Sequence, residues 1–119
     1  MTIEMLTSKI HRALVTGADP DYIGSISIDS KLIAAAGLRE YQKVDVLDIT
    51  NGARLSTYVI AGGDGEVTLN GAAARLIETG DLVIIAAYAD LEEAELDGFK
   101  ARIVHVDGNN RVVKTETSR

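Results

Sequence analysis

The sequence predicts a small, mainly β protein folded as a closed β-barrel with short helices. Three observations point there. Apolar residues fall in about seven runs of strand length, with no long helical stripe among them. Turn-forming clusters separate those runs, notably Asn51-Gly52, Gly62-Gly63-Asp64-Gly65 and Asp107-Gly108-Asn109-Asn110. A chain of 119 residues supports one core, and closing a sheet on itself removes edges that so small a β protein would otherwise expose. With no repeat, linker or low-complexity tract, residues 1–119 read as a single domain.

In order, Leu6 to Thr16 reads as a strand, with Lys9, His11 and Ala13 on one face and Ser8, Ile10 and Leu14 on the other. Gly17-Ala18-Asp19-Pro20-Asp21 reads as a turn-rich loop holding the only proline. A short strand follows from Ser25 to Asp29. Ser30 to Gly37 reads as a short helix, with Ser30 as N-cap and Gly37 as its stop. Lys43 to Ile49 forms a strand, Asn51-Gly52 turns the chain because both residues tolerate positive φ, and Arg54 to Ala61 returns. Beyond the glycine turn come a strand from Glu66 to Leu69 and a capped helical turn from Asn70 to Leu76. Gly80-Asp81 opens the buried strand Leu82 to Tyr88. Phe99 to Val106 and Arg111 to Lys114 are the last strands, and the tail from Arg111 to Arg119 is expected to fray.

Composition narrows the chemistry. With one Phe and no Trp, the core must be Val, Ile, Leu and Ala. The absence of Cys excludes disulfides, thiolate metal sites and cysteine nucleophiles. Met1-Thr2-Ile3-Glu4 has neither a basic stretch nor an apolar signal core, and the longest apolar run, Leu82 to Ala89, falls far short of the roughly 20 residues of a membrane helix. A cytoplasmic protein with no membrane partner is expected. The net charge of −6, from 12 basic and 18 acidic residues, argues against a nucleic-acid partner. An anionic ligand would need basic residues gathered locally, and Lys9, His11 and Arg12 are such a group.

Conventional catalytic patterns are thin. A Ser-His-Asp set could be drawn with His11 or His105, but no nucleophile-elbow motif is present. Two distant histidines suggest no metal site, and His105 within Val104-His105-Val106 reads as structural. Gly62, Gly63 and Gly65 make no dinucleotide fingerprint, because Thr68 stands where the last glycine is required. Glu92, Glu93, Glu95 and Asp97 read as a solvated loop. Gly24-Ser25 alone is only a loop-to-strand junction at which glycine supplies a permissive φ.

Context changes that reading. Met5-Leu6, Lys9, His11-Arg12, Val15-Thr16, Ala18-Asp19, Tyr22-x-Gly24-Ser25, Ile28-Asp29, Ala35-Ala36-Gly37, Thr50-Asn51-Gly52-x-Arg54, Ser56-Thr57-Tyr58, Asn70-Gly71-Ala72-Ala73-Ala74 and Gly80-Asp81-x-Val83-Ile84-Ile85-Ala86 occur in one order. In that order and spacing the chain resembles the aspartate 1-decarboxylase family from Met5 to about Tyr88, and weakly beyond. Leu47 stands where many relatives have an aromatic, and the Gly62–Gly65 loop is shorter than in some. The resemblance implies a six- to seven-stranded double-psi β-barrel, assembled as a homotetramer with sites at subunit boundaries. It also implies self-cleavage between Gly24 and Ser25, giving a β chain of residues 1–24 and an α chain of residues 25–119. Ser25 would become a covalent pyruvoyl group, serving in place of pyridoxal phosphate. That group would form a Schiff base with L-aspartate and release CO₂, yielding β-alanine for pantothenate and coenzyme A biosynthesis. Neither a metal nor pyridoxal phosphate is implied, and nothing in the residues specifies a maturation factor.

The same resemblance assigns roles. Thr57 would stabilise the oxyanion of self-processing and contact substrate. Tyr58, a weak acid of reference pKa about 10, would protonate the carbanion left by CO₂. Lys9 and Arg54 would bind the substrate carboxylates, with His11 and Tyr22 in support. Asn70, Gly71, Ala72 and Ala73 would offer free backbone N–H groups to an anion, with Asn70 as N-cap, as ligand or as both. Read without the family, Thr57 and Tyr58 are ordinary strand residues and Lys9 and Arg54 surface charges. A regular strand puts Arg54, Ser56 and Tyr58 on one face and Thr57 on the other, so a shared site requires a bulge, a strong twist or a subunit boundary. The competing reading is a non-catalytic double-psi barrel serving as a binding or adaptor domain, in which the chain stays intact.

Overall fold

The computed structural model describes residues 1–118. Its strands are β1 (Thr2–Leu14), β2 (Gly17–Asp19), β3 (Ser25–Asp29), β4 (Lys43–Asp48), β5 (Arg54–Gly62), β6 (Val67–Asn70), β7 (Leu82–Glu92), β8 (Arg102–Val106) and β9 (Val112–Thr117). One short α-helix, α1 (Ser30–Ala36), follows β3, and 3-10 turns span Gly71–Arg75 and Glu93–Glu95. The protein is mainly β, as expected.

All nine strands belong to one sheet in the order β2-β6-β3-β5-β4-β7-β1-β8-β9. β1–β8, β2–β6 and β3–β5 pair in parallel, and the remaining neighbours are antiparallel. Among the described residues no ladder joins β2 to β9, so the closed hydrogen-bonded barrel of six to seven strands is not what the pairing gives. Chain continuity joins the two regions instead. Val15 exchanges backbone bonds with Gly80 and Asp81, ahead of β7, while the Thr16 N–H reaches the Val67 carbonyl of β6 at 2.8 Å. One run of chain thus passes from the β7 neighbourhood to that of β6.

That crossing explains β2, which sequence reading takes for a loop. Thr16 Oγ1 accepts the Val67 amide at 3.0 Å, delivering Gly17–Asp19 to the free edge of β6. The helix cap also differs. Asp29 caps α1, its Oδ1 accepting the Lys31 amide at 2.8 Å, while Ser30 is exposed. Burial decides between these two capping types, because the enclosed Asp29 carboxylate also takes the Gly65 amide at 2.7 Å. Gly37 ends the helix in the left-handed region at φ 70°. β1 and β7 run longer than expected because their outer halves pair with each other, from Thr2↔Glu92 to Leu6↔Tyr88. The tail does not fray over β9, which pairs with β8 through Arg102↔Thr117. Arg119, also in that expectation, lies outside the described residues.

The core is aliphatic, as composition requires. Ile10, Ile26, Ile28, Leu32, Leu69, Ile77 and Ile85 are fully buried with seven valines around them, each contributing about 1.5–3 kcal/mol of transfer free energy. β3 is buried along its whole length, between β5 and β6. This places Ser25 at the rim of the core. His105 is half-buried and bonds Glu116 through Nε2 at 2.8 Å, a structural role as expected. No helix among the described residues is long and apolar enough to cross a membrane.

Candidate active site

The first functional cluster forms where β3 begins. Ser25 is 1% exposed and has φ 156°, a positive value disfavoured by any residue carrying a Cβ. Close backbone packing holds it there. Gly71, at φ 62°, lies so near the preceding loop that a Cβ on it would stand 2.7 Å from Gly24 Cα and 3.0 Å from Gly24 N. Only glycine allows that approach. Asn70 pairs with Ser25 across the β3–β6 ladder, and its buried amide donates to Ser25 Oγ and Ser27 Oγ, each at 3.0 Å. Both amide hydrogens are thereby used. Asn70 Oδ1 makes no side-chain cap on the following 3-10 turn, which corrects that expectation. A cleft of about 180 Å³ opens here, lined by Gly24, Thr57, Asn70, Ala72, Ala73 and Leu76 among others. Because Ser25 Oγ accepts from Asn70, its own proton is not held by that residue and can leave by another route.

Gly71→Ala tests this packing. A methyl group there meets Gly24 backbone rather than a movable side chain, in a conformation that L-residues avoid. The expected outcome is a displaced Gly24-Ser25 bond, read by mass spectrometry as uncleaved chain, and a melting temperature several degrees lower.

The second cluster lies on one face of the sheet. The ladders pair Lys43↔Tyr58, Asp45↔Ser56 and Leu47↔Arg54, then Asp45↔Ala86, Lys9↔Ala86 and His11↔His105. Cross-strand partners share a face, so Lys9, His11, Arg54 and Tyr58 are brought to the same side. Thr57 pairs with the buried Val44 on the opposite side. The β4–β5 register is unbroken from Lys43 to Leu47, and without any bulge Thr57 and Tyr58 still line one shallow cavity of about 290 Å³ with Lys43 and Ser56. The bulge that does exist is in β1 between Ile10 and Ala13, with Arg12 at φ 63°. There the His11 ring packs edge-on to His105 at 5.8 Å. Burial first, then Lys9, His105 and Arg12, lower the His11 pKa and favour the neutral ring. A groove of about 510 Å³ on this face is lined by Glu4, Lys43, Asp45, Ser56 and Tyr88. Arg54 borders a neighbouring cavity with Asp45, Leu47 and Ser56.

Comparison with known proteins identifies the family. The model of the family described as aspartate decarboxylase matches residues 1–113. The chain is 57% identical to an aspartate 1-decarboxylase of Campylobacter hominis, over 96% of this chain and 100% of that protein. It is 59% identical to one of Corynebacterium efficiens, over 92% of this chain and 82% of that protein. The chain belongs to the aspartate decarboxylase family. The match runs well past Tyr88, so β8 and the start of β9 are part of the family's domain rather than an unrelated extension.

For this aspartate decarboxylase family member, the structure gathers Gly24, Ser25, Thr57, Asn70, Gly71, Ala72 and Ala73 at one place, and Lys9, His11, Arg54 and Tyr58 on one face of the sheet, which the β3–β5 pairing Ser27↔Ile60 makes the face of Ser25 as well. Tyr22 is 52% exposed; its carbonyl lies 3.2 Å from where a Gly71 Cβ would stand. Ser27, which shares the Asn70 amide, escaped sequence reading although its spacing of two from Ser25 puts both on one face of β3. Among the described residues no group of three or more His, Asp or Glu is arranged to hold a metal.

Proposed function

We propose that this chain is a self-processing, pyruvoyl-dependent aspartate 1-decarboxylase that converts L-aspartate into β-alanine and CO₂ for pantothenate biosynthesis. The observation that carries it is Ser25: buried, held at a disfavoured φ, its hydroxyl bonded by Asn70, and preceded by a glycine. The Ser25 Oγ attacks the Gly24 carbonyl carbon, the Gly24 C–N bond breaks, and the hydroxyl proton ends on the freed amine. Loss of the Ser25 Cα proton and cleavage of Cβ–Oγ then release Gly24 as a carboxylate. Water replaces the nitrogen of the resulting dehydroalanine, liberating ammonia. Residues 1–24 and 25–119 result. Because position 25 loses its tetrahedral Cα, the strain at φ 156° is discharged by the reaction. Thr57, in the same cleft, donates to the oxyanion of the first step.

Formed at position 25, a pyruvoyl group would supply a carbonyl to condense with the substrate amine and an electron sink for loss of CO₂. The protein's own groups do the rest. Arg54 and Lys9 grip the two substrate carboxylates, neutral His11 supports Lys9, and the Tyr58 phenol delivers the proton to carbon. Lys9, Arg54 and Tyr58 do not line the Ser25 cleft of their own chain, which supports a homotetramer in which a neighbouring subunit brings such groups to it. The three parallel pairings and the β1–β2 crossing support a double-psi barrel. We also assign the enzyme to the cytoplasm.

Intact-mass measurement tests the reading: two fragments are expected, and borohydride with aspartate should add mass to the 25–119 fragment only. A single unbroken chain that borohydride leaves unlabelled would favour the adaptor-domain reading instead.

A further inference from the structure

One exposed side chain sits on a backbone conformation that its type disfavours. Among the described residues, the non-glycine positions at positive φ are Arg12, Ser25, Tyr41 and Asn110. Ser25 and Arg12 belong to the clusters already described, and asparagine enters the left-handed region readily. Tyr41, at φ 68°, puts a bulky side chain where glycine or asparagine fits better. Burial does not account for it, because Tyr41 is 74% exposed.

The conformation is imposed by the chain around it. Residues 39–42 turn between α1 and β4, and that turn is fastened along β5. Tyr41 N–H donates to Val59 O at 2.7 Å, and Val59 N–H donates to Gln42 O at 3.0 Å. Glu40 Oε1 accepts the Ala61 amide at 3.2 Å. Within the turn, Gln42 N–H donates to Arg39 O at 3.1 Å, and Gln42 Oε1 accepts the Arg39 amide at 3.0 Å. Val59 is fully buried and directly follows Tyr58. The fastening brings the Tyr41 ring to the Tyr58 ring, with centroids 6.0 Å apart and planes tilted by 31°, within the range of attractive aromatic pairs.

Tyr58 is only half-buried, and it borders the open cavity of about 290 Å³ shared with Lys43, Ser56 and Thr57. Its ring therefore has room to turn unless a neighbour restrains it. An acid that delivers a proton to carbon must keep its oxygen within hydrogen-bond reach, and a misplacement of about 1 Å can cost on the order of 10²-fold in rate. We propose that Tyr41 is a positioning residue whose ring, carried by the strained turn before β4, fixes the Tyr58 phenol for proton delivery. The proposal rests on Tyr58 being the proton donor.

The test compares processed wild-type enzyme with Tyr41→Asn, Tyr41→Phe, Tyr58→Phe and the double variant Tyr41→Asn with Tyr58→Phe. Asparagine fits the left-handed backbone and removes the ring. Tyr41→Asn is expected to be cleaved and to melt within a few degrees of wild type, yet to lose about tenfold or more in kcat. Its KM for aspartate should stay within about twofold. Phenylalanine keeps the ring, so Tyr41→Phe is expected to retain the wild-type kcat. Because Tyr41 acts through Tyr58, removing its ring should cost nothing further once Tyr58 is Phe. In D₂O the wild type is expected to place deuterium on one side of the amine-bearing carbon of β-alanine, a preference that Tyr41→Asn loses. Unchanged kcat in Tyr41→Asn, a Tyr41→Phe variant as slow as Tyr41→Asn, or an additive loss in the double variant overturns the proposal. Undiminished turnover in Tyr58→Phe instead defeats the reading of Tyr58 as donor. The ring signals of ¹³C-labelled tyrosine, with that of Tyr58 assigned by its loss in Tyr58→Phe, then decide the contact alone. Faster Tyr58 ring flipping in Tyr41→Asn supports the restraint, and unchanged flipping overturns it.

Discussion

Replacing Ser25 by alanine is expected to leave one unbroken chain of 12.7 kDa with no detectable aspartate decarboxylation. The hydroxyl is the only group placed to attack the Gly24 carbonyl from its own residue, and alanine has no Cβ–O bond whose loss could yield the carbonyl. The fold is expected to survive. Asn70 loses one of its two acceptors but keeps Ser27 Oγ, so the cost is that of one unsatisfied buried donor, about 1–3 kcal/mol. Alanine also retains the Cβ that makes φ 156° unfavourable, so the backbone strain persists without an outlet. Ser25→Gly separates these effects. It is equally uncleaved, but it recovers about 1–3 kcal/mol of backbone strain relative to Ser25→Ala, measurable by chemical denaturation. Turnover or cleavage in either variant would remove Ser25 from its role.

Much of this arrangement is written locally in the sequence. Ser25–Asp29 emerges as a strand with the expected bounds, because the isoleucines at 26 and 28 alternate with serines between a glycine and a helix cap. Gly37 stops α1 where a residue without a Cβ was needed. What local pattern does not carry is anything decided by approach from elsewhere in the chain. Gly17–Asp19 has poor strand propensity and pairs only because Thr16 brings it to β6. Asp29 takes the cap from Ser30 because burial supplies its carboxylate with a second amide. The missing ladder between β2 and β9 depends on where Val15 and Thr16 cross, which no periodicity encodes. At the site, Gly24-Ser25 gains meaning from its family context, whereas the unusual φ of Ser25 comes from Gly71 pressing on Gly24.

Tyr58→Phe is expected to separate the two halves of the chemistry. Tyr58 pairs with Lys43 and does not line the Ser25 cleft, whereas Thr57, next to it, does. Self-processing within one chain therefore needs nothing from the phenol, and the variant is expected to appear as two fragments by mass. Its stability should change little, because Phe keeps the ring packed against Tyr41 at 6.0 Å and Tyr58 is only half-buried. Decarboxylation requires a proton delivered to carbon, and losing a positioned general acid typically costs about 10²- to 10⁴-fold in rate. Borohydride trapping with aspartate should persist, since it precedes that proton transfer. An uncleaved variant would tie Tyr58 to the processing cleft. Undiminished turnover would mean that another group, on a partner subunit or in solvent, supplies the proton, leaving Tyr58 as packing for Tyr41.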